Sequence, residues 1–165
     1  MSFFKTSAAS VFALGMTAAS ASAMTVLFQD TFDRSNSNTV GNGWTELQDE
    51  NNDVAIRNNS LRLRDFLPGN PDAAAGSSVI DATGFENIEV TFRWRALAPN
   101  EATDDLFLAF AEAPAPALTS QEAWTEVFQG NDGGTSTFSE TVSLAGAENT
   151  LFNIMFWTDV STSSE

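Results

Sequence analysis

The sequence predicts an all-β fold arranged as a two-sheet antiparallel β-sandwich. Three observations lead there. Apolar and polar residues alternate with period two along most of the chain after residue 24, as on a strand with one buried and one wet face. Clusters of Gly, Pro, Asn and Asp interrupt these runs at short intervals. Only residues 117–123 read as a short helix, and many short strands with frequent turns pack as two antiparallel layers.

The clearest strand is Asn87 to Ala96. Ile88, Val90, Phe92, Trp94 and Ala96 share one face, while Glu89, Thr91, Arg93 and Arg95 share the other. Ser60 to Asp65 repeats the pattern, with Leu61 and Leu63 opposite Arg62 and Arg64. Val54 and Ile56 precede it, and Asn58-Asn59 between the two runs signals a hairpin. Further strands are expected at Thr25 to Phe32, Ser77 to Ile80, Asp105 to Ala111, Trp124 to Gln129, Thr135 to Leu144 and Thr150 to Val160. Asp105 to Ala111 and Leu151 to Trp157 are almost continuously apolar, as in central strands covered on both sides. Gly41-Asn42-Gly43, Pro68-Gly69-Asn70-Pro71, Ala98-Pro99-Asn100 and Asn131-Asp132-Gly133-Gly134 are the turns. Ala113-Pro114-Ala115-Pro116 must leave the sheet, because proline cannot donate to a ladder. The expected core is Ile88, Val90, Phe92 and Trp94 against Phe110, Phe152, Ile154 and Phe156.

The first 23 residues follow the plan of a secretory signal peptide. Lys5 supplies the positive start, Val11 to Ala19 the apolar stretch and Ala21-Ser22-Ala23 a small-x-small cleavage site. The apolar run is about half of the roughly 20 residues a spanning helix needs. Export through the secretory pathway follows, to the cell surface, the medium or a periplasm. Residues 24–165 then form one β-sandwich domain without a membrane span.

Composition excludes several function classes. The formal charge is −15, and removing Lys5 with the leader makes it −16, all remaining basic residues being Arg. Such a field repels nucleic-acid phosphates and anionic membrane surfaces, favours solubility and attracts divalent cations; the same acidic, lysine-poor composition suits life in salty water. Cysteine is absent, so no disulfide supports the exported domain. Histidine is absent, which removes Ser-His-Asp and Cys-His catalysis and His-ligated zinc or haem.

Phe28-Gln29-Asp30-Thr31-Phe32-Asp33-Arg34 leads into Val40-Gly41-Asn42-Gly43-Trp44-Thr45-Glu46, and later come Ser78-Val79-Ile80-Asp81, Phe92-Arg93-Trp94-Arg95 and Phe152-Asn153-Ile154-Met155-Phe156-Trp157-Thr158. Together these resemble exported bacterial jelly-roll domains similar to the concanavalin A-like lectin/glucanase and MAM-type sandwiches, often found in proteins with a PEP-CTERM or VPLPA-CTERM sorting tail. The resemblance covers nearly all of residues 25–160. It implies a jelly roll, and a non-catalytic module for contact with a cell surface, matrix, surface protein or extracellular polysaccharide. A glucanase-type glycoside hydrolase and a structural subunit of an exported coat or adhesin are the alternatives. Such domains usually continue into a last strand beside the first, so the chain is expected to be truncated at its C-terminus, without that strand and the sorting tail.

Candidate chemistry falls into three groups. Structural calcium takes oxygen ligands; the resemblance implies such a site between early and late strands, and Asp30, Asp33 and Asp159, with Asp104 and Asp105 nearby, lie at expected strand ends. Asp49-Glu50-Asn51-Asn52-Asp53 is oxygen-rich but lacks the glycine of a calcium loop. Solvated turn acids are the plain alternative. Glycoside hydrolysis needs two carboxylates facing one bond, yet Glu86 and Glu89 fall on opposite faces of a strand and Asp104-Asp105 diverge. Finally, if their strands share a sheet, Arg62, Arg64, Arg93 and Arg95 would mark one outer face able to grip uronic-acid carboxylates, unless they pair with acids such as Glu89. Trp44, Trp124 and Trp157 would stack on sugar rings if exposed, or pack in core and turns; Trp94 belongs to the core.

Overall fold

Two long strands anchor the molecule. The computed structural model describes residues 24–48, 52–64, 73–96, 105–131 and 136–159. In chain order the strands are β1 (Thr45–Leu47), β2 (Val54–Ile56), β3 (Leu61–Leu63), β4 (Ala74–Gly76), β5 (Ile80–Asp81), β6 (Glu89–Trp94), β7 (Asp105–Glu112), β8 (Thr125–Gly130), β9 (Phe138–Ser143) and β10 (Leu151–Asp159). β7 and β10 pair antiparallel along eight residues, with Ile154 opposite Phe110. They form the middle of a six-stranded sheet of order β1-β4-β10-β7-β8, in which β5 also pairs with β10. β2-β3 and β6-β9 are separate two-stranded antiparallel sheets. The fold is therefore nearly all β and antiparallel, as the alternation predicts. Among the described residues no helix is long and apolar enough to cross a membrane.

The period of two explains both faces of the central pair. On one face Leu108, Phe110, Phe152 and Ile154 join a large apolar cluster that also draws on Val54 and Ile56 from β2, Ile88, and Val90 and Phe92 from β6. On the other, Ala109, Ala111, Met155 and Trp157 pack under residues 113–124, through Ala115, Leu118 and Trp124. Pro114 and Pro116 carry the chain out of the ladder there, and the expected helix shrinks to a 3₁₀ turn at Gln121–Ala123. Of the expected core, Ile88, Phe110, Phe152 and Ile154 are buried, while Val90, Phe92, Trp94 and Phe156 are half-buried. Phe92 meets Phe128 and Phe156 edge-on at 5.1 and 5.2 Å.

The Asn58-Asn59 hairpin forms as read. Both asparagines adopt left-handed backbone, φ 51° and 58°, and Arg57 and Ser60 exchange both backbone bonds across it. The turn before Trp44 likewise runs through positive φ at Gly41, Asn42 and Gly43, conformations open to glycine and asparagine but costly for most residues.

Three expectations change. Thr25 to Phe32 is not a strand: Asp30 Oδ1 accepts the Phe32 amide at 2.8 Å and Phe32 turns to φ 54°, which withdraws the N–H a ladder would use. Leu27, Phe28 and Phe32 still pack against the large cluster. Ser77 to Ile80 is split. Ser77 Oγ accepts the Ile154 amide at 3.0 Å, the Ser77 amide donates to the Ile154 carbonyl at 2.8 Å, and regular pairing resumes only at Ile80. β4, by contrast, is built of Ala74, Ala75 and Gly76, residues of poor strand preference. They fit because β1 and β10 close on them from both sides, and a Cβ on Gly76 would stand 2.8 Å from Leu118 Cδ2. The expected leader at residues 1–23, the turns at 68–71 and 98–100, and residues 132–134 lie outside the described residues.

Candidate functional site

Asp30 lies in the segment the sequence marks for metal, and its carboxylate is fully engaged by the protein itself. Arg34, one helical-type spacing along, grips it with both terminal nitrogens, Nη1 to Oδ1 at 2.7 Å and Nη2 to Oδ2 at 3.0 Å. The Phe32 amide also donates to Oδ1, and Trp44 Nε1 donates to Oδ2 at 2.9 Å. A carboxylate offers about four acceptor positions, and all are taken. Arg34 uses its remaining Nε on the Val40 carbonyl at 2.9 Å and lies 5.2 Å over the Phe32 ring. Burial pushes the Asp30 carboxyl up, but the bonds from Arg34, Phe32 and Trp44 and the Arg34 charge together outweigh it and hold it below its ordinary value. A cation at Asp30 would have to displace one of these donors.

Beside this unit an open cleft of about 490 Å3 is lined by Gln29, Thr31, Asp33 and Asn42 together with Asp30 and Arg34. Asp33 is exposed there. Asp159 is placed elsewhere, opposite Asp105 at the end of the β7-β10 pair, where Gln129 Nε2 donates to Asp105 Oδ2 at 3.0 Å. No group of three or more acidic residues positioned around a common ion occurs among the described residues; Asp104 lies outside them.

The four arginines do not share a sheet. Arg62 and Arg64 belong to the β2-β3 hairpin, Arg93 to β6 in the β6-β9 pair and Arg95 just beyond it. Arg93 stands opposite Ser139 and Glu89 opposite Ser143, so the cross-strand neighbours are serines rather than acids. Arg62 and Arg64 gather instead with Arg57, which the alternation did not single out. Arg57 and Arg62 both donate to Asn52 Oδ1, and Arg57 reaches across to Asn38 and the Ser37 carbonyl. Arg64 Nε lies 3.9 Å from Asp53, which is 1% exposed. Burial, and then the charges of Arg64 and Arg57, lower the Arg62 pKa, with Asp53 opposing. The acid-rich run ending at Asp53, next to an arginine-bearing hairpin, was the available signal for this cluster.

All three candidate sugar-stacking tryptophans are buried. Trp44 is 9% exposed among Phe28, Phe32 and Phe156. Trp157 stacks on Phe107 at 4.6 Å, nearly parallel. Trp124 lies under the 113–124 segment and donates to the Ala117 carbonyl. The rings of Trp44 and Trp157 are met by protein aromatics, while Trp124, though buried, lines a groove on that side of the sheet. Trp94 packs against Phe128 and Phe138, on the face the alternation assigns to it. Glu86 and Glu89 are both exposed, Glu86 before β6 and Glu89 at its first residue.

No protein-family model matches the chain, and no curated protein is significantly similar to it.

Proposed function

We propose that the chain is an exported, non-catalytic β-sandwich module of jelly-roll type that makes contact with a cell surface, a matrix or a carbohydrate. Support for the two-layer arrangement comes from the single apolar cluster to which β2, β3, β6 and one face of β7-β10 all contribute. The observation that carries the contact role is the outer face of β6-β9. Glu89, Thr91, Arg93 and, on the partner strand, Ser139, Thr141 and Ser143 are all exposed on a regular ladder. The Thr91 and Thr141 hydroxyls meet at 2.9 Å across it. A rigid strand pair bearing hydroxyls and few charges offers many hydrogen bonds at low ordering cost, which suits a hydroxylated or peptide-like surface. Export rests on the leader pattern of Met1 to Ala23.

The test is binding of the purified protein to a glycan array and to isolated cell-surface material, beside hydrolysis assays on β-glucans. Retention on either surface, weakened by a Thr91→Lys/Thr141→Lys double substitution, is the expected result. Turnover of a β-glucan that a single carboxylate substitution abolishes would replace this reading with a glycoside hydrolase. Binding to nothing, with ordered self-assembly, would replace it with a structural subunit.

A further inference from the structure

The turn ahead of β1 is chemically open as well as sharp. The Trp44 amide donates to the Gly41 carbonyl at 3.0 Å, and the two residues between them have positive φ, 51° at Asn42 and 81° at Gly43. That is a type I′ turn, whose central positions favour asparagine and glycine. Gly41, Asn42 and Gly43 are all exposed. Among the described residues neither the Asn42 side chain nor the Gly43 amide makes a hydrogen bond. The Asn42 side chain stands in the open cleft with Gln29, Thr31 and Asp33, where water reaches it.

Asn42-Gly43 is also the one Asn-Gly pair in the chain. In such a pair no side chain on the second residue shields its backbone nitrogen. That nitrogen can attack the asparagine side-chain carbonyl. Its proton passes to water or hydroxide, a bond forms from Gly43 N to Asn42 Cγ, the Cγ–Nδ2 bond breaks and ammonia leaves. The product is a five-membered succinimide. Water opens it at either carbonyl, giving aspartate or an isoaspartate whose main chain runs through Cγ. One water enters and one ammonia leaves, so neither oxidant nor cofactor is needed.

Whether a folded turn permits the attack depends on its backbone. The succinimide ring fixes ψ of its residue at about −120°, the value at the first central position of a type II′ turn. Types I′ and II′ share positive φ at that position and differ at the second. A flip of the single peptide between Asn42 and Gly43 therefore converts one into the other. Asn42 already holds φ 51°, and glycine takes either sign of φ. The flip breaks no hydrogen bond of the Gly43 amide, and the Gly41–Trp44 bond closes both turn types. The Asn58-Asn59 hairpin has the same pair of positive φ values, but its second position carries a side chain that resists both the flip and the attack.

We propose that Asn42 is a site of spontaneous covalent modification in the folded protein, converted through a succinimide with Gly43 to aspartate and isoaspartate. This is independent of the proposed function. Conversion puts a further carboxylate in the cleft beside Asp33. The isoaspartyl form also adds one main-chain atom to the turn that leads Trp44 to its bond with Asp30. The test incubates the purified protein at neutral and mildly alkaline pH, below its melting midpoint, until a sample unfolded in urea has converted. Peptide mapping by mass spectrometry locates the change, and enzymatic methylation detects isoaspartate. The expected result is conversion at Asn42 ahead of every other asparagine, faster at the higher pH and with isoaspartate among the products. Its rate should lie within about tenfold of the unfolded chain's, because the flip gives up no hydrogen bond. Asn42 left intact while the unfolded chain converts would show that the turn blocks the flip, and overturns the proposal. Aspartate without isoaspartate would mean direct hydrolysis by water and overturns the succinimide route. Conversion at Asn58 before Asn42 would show that glycine at the second position is not what decides, and overturns it as well.

Discussion

Trp44 Nε1 donates to Asp30 Oδ2 over 2.9 Å, tying the chain ahead of the Gly41–Gly43 turn to the residue just before β1. The same carboxylate is gripped by Arg34, so one acid holds an aromatic core residue, a cation and a backbone turn. Substituting Asp30 with Ala leaves Arg34 and the Trp44 indole without their acceptor. The expected loss is about 1.5–3 kcal/mol, the range for hydrogen bonds to a charged group, read from urea unfolding at neutral pH.

The pH dependence follows in sign. The Asp30 pKa is lower in the folded state than its ordinary value, so its contribution is complete above the unfolded pKa, near 3.9. It is lost as pH falls through the lower folded value. Between neutral pH and acid, Asp30→Asn should therefore show a smaller fall in melting midpoint than the parent. Parallel curves for the two proteins would show that the carboxylate contributes nothing pH-linked.

If the calcium read from the sequence binds, Asp33, exposed in the cleft, is the residue left to hold it, because the acceptor positions of Asp30 are filled. Midpoints are compared in millimolar calcium, in magnesium at equal ionic strength and in chelator. A calcium-selective shift that disappears in Asp33→Asn agrees with this assignment. One that survives there and disappears only in Asp30→Asn reverses it, and an equal shift with magnesium is diffuse screening of an acidic surface.

Gly76 sits where a Cβ would come within 2.8 Å of Leu118 Cδ2. Gly76→Ala should cost about 1 kcal/mol, the low end for overpacking, because Leu118 Cδ2 is the free end of a side chain that can turn aside. In a Gly76→Ala/Leu118→Ala double mutant the glycine substitution should cost much less than it does alone. Strict additivity of the two in urea unfolding would mean that the contact is not what restricts position 76.

Phe92, on the inward face of β6, touches Phe128 and Phe156. Because it is half-buried, Phe92→Ala should destabilise by about 3 kcal/mol, the lower end for phenylalanine truncation. A loss under about 1 kcal/mol would mean that the β6 faces are reversed.

Local pattern alone determined much of this molecule. The inward and outward faces of β6, the two apolar central strands, the Asn58-Asn59 turn and the exit at Pro114 all follow from side-chain alternation and from φ restrictions, which act within a few residues. Tertiary structure decided the rest. Ala74 to Gly76 become a strand because β1 and β10 pair with them on both sides, with Leu118 close over Gly76. Asp30 becomes a core anchor rather than a free ligand because Trp44, fourteen positions on, folds over it. Arg62 and Arg93 part company because their strand pairs, β2-β3 and β6-β9, form separate sheets. Asn153 is fixed in place only where Ser77, distant in sequence, accepts from its amide nitrogen. Those outcomes depend on which segments meet in space, and alternation along one strand carries no information about its partners across the fold.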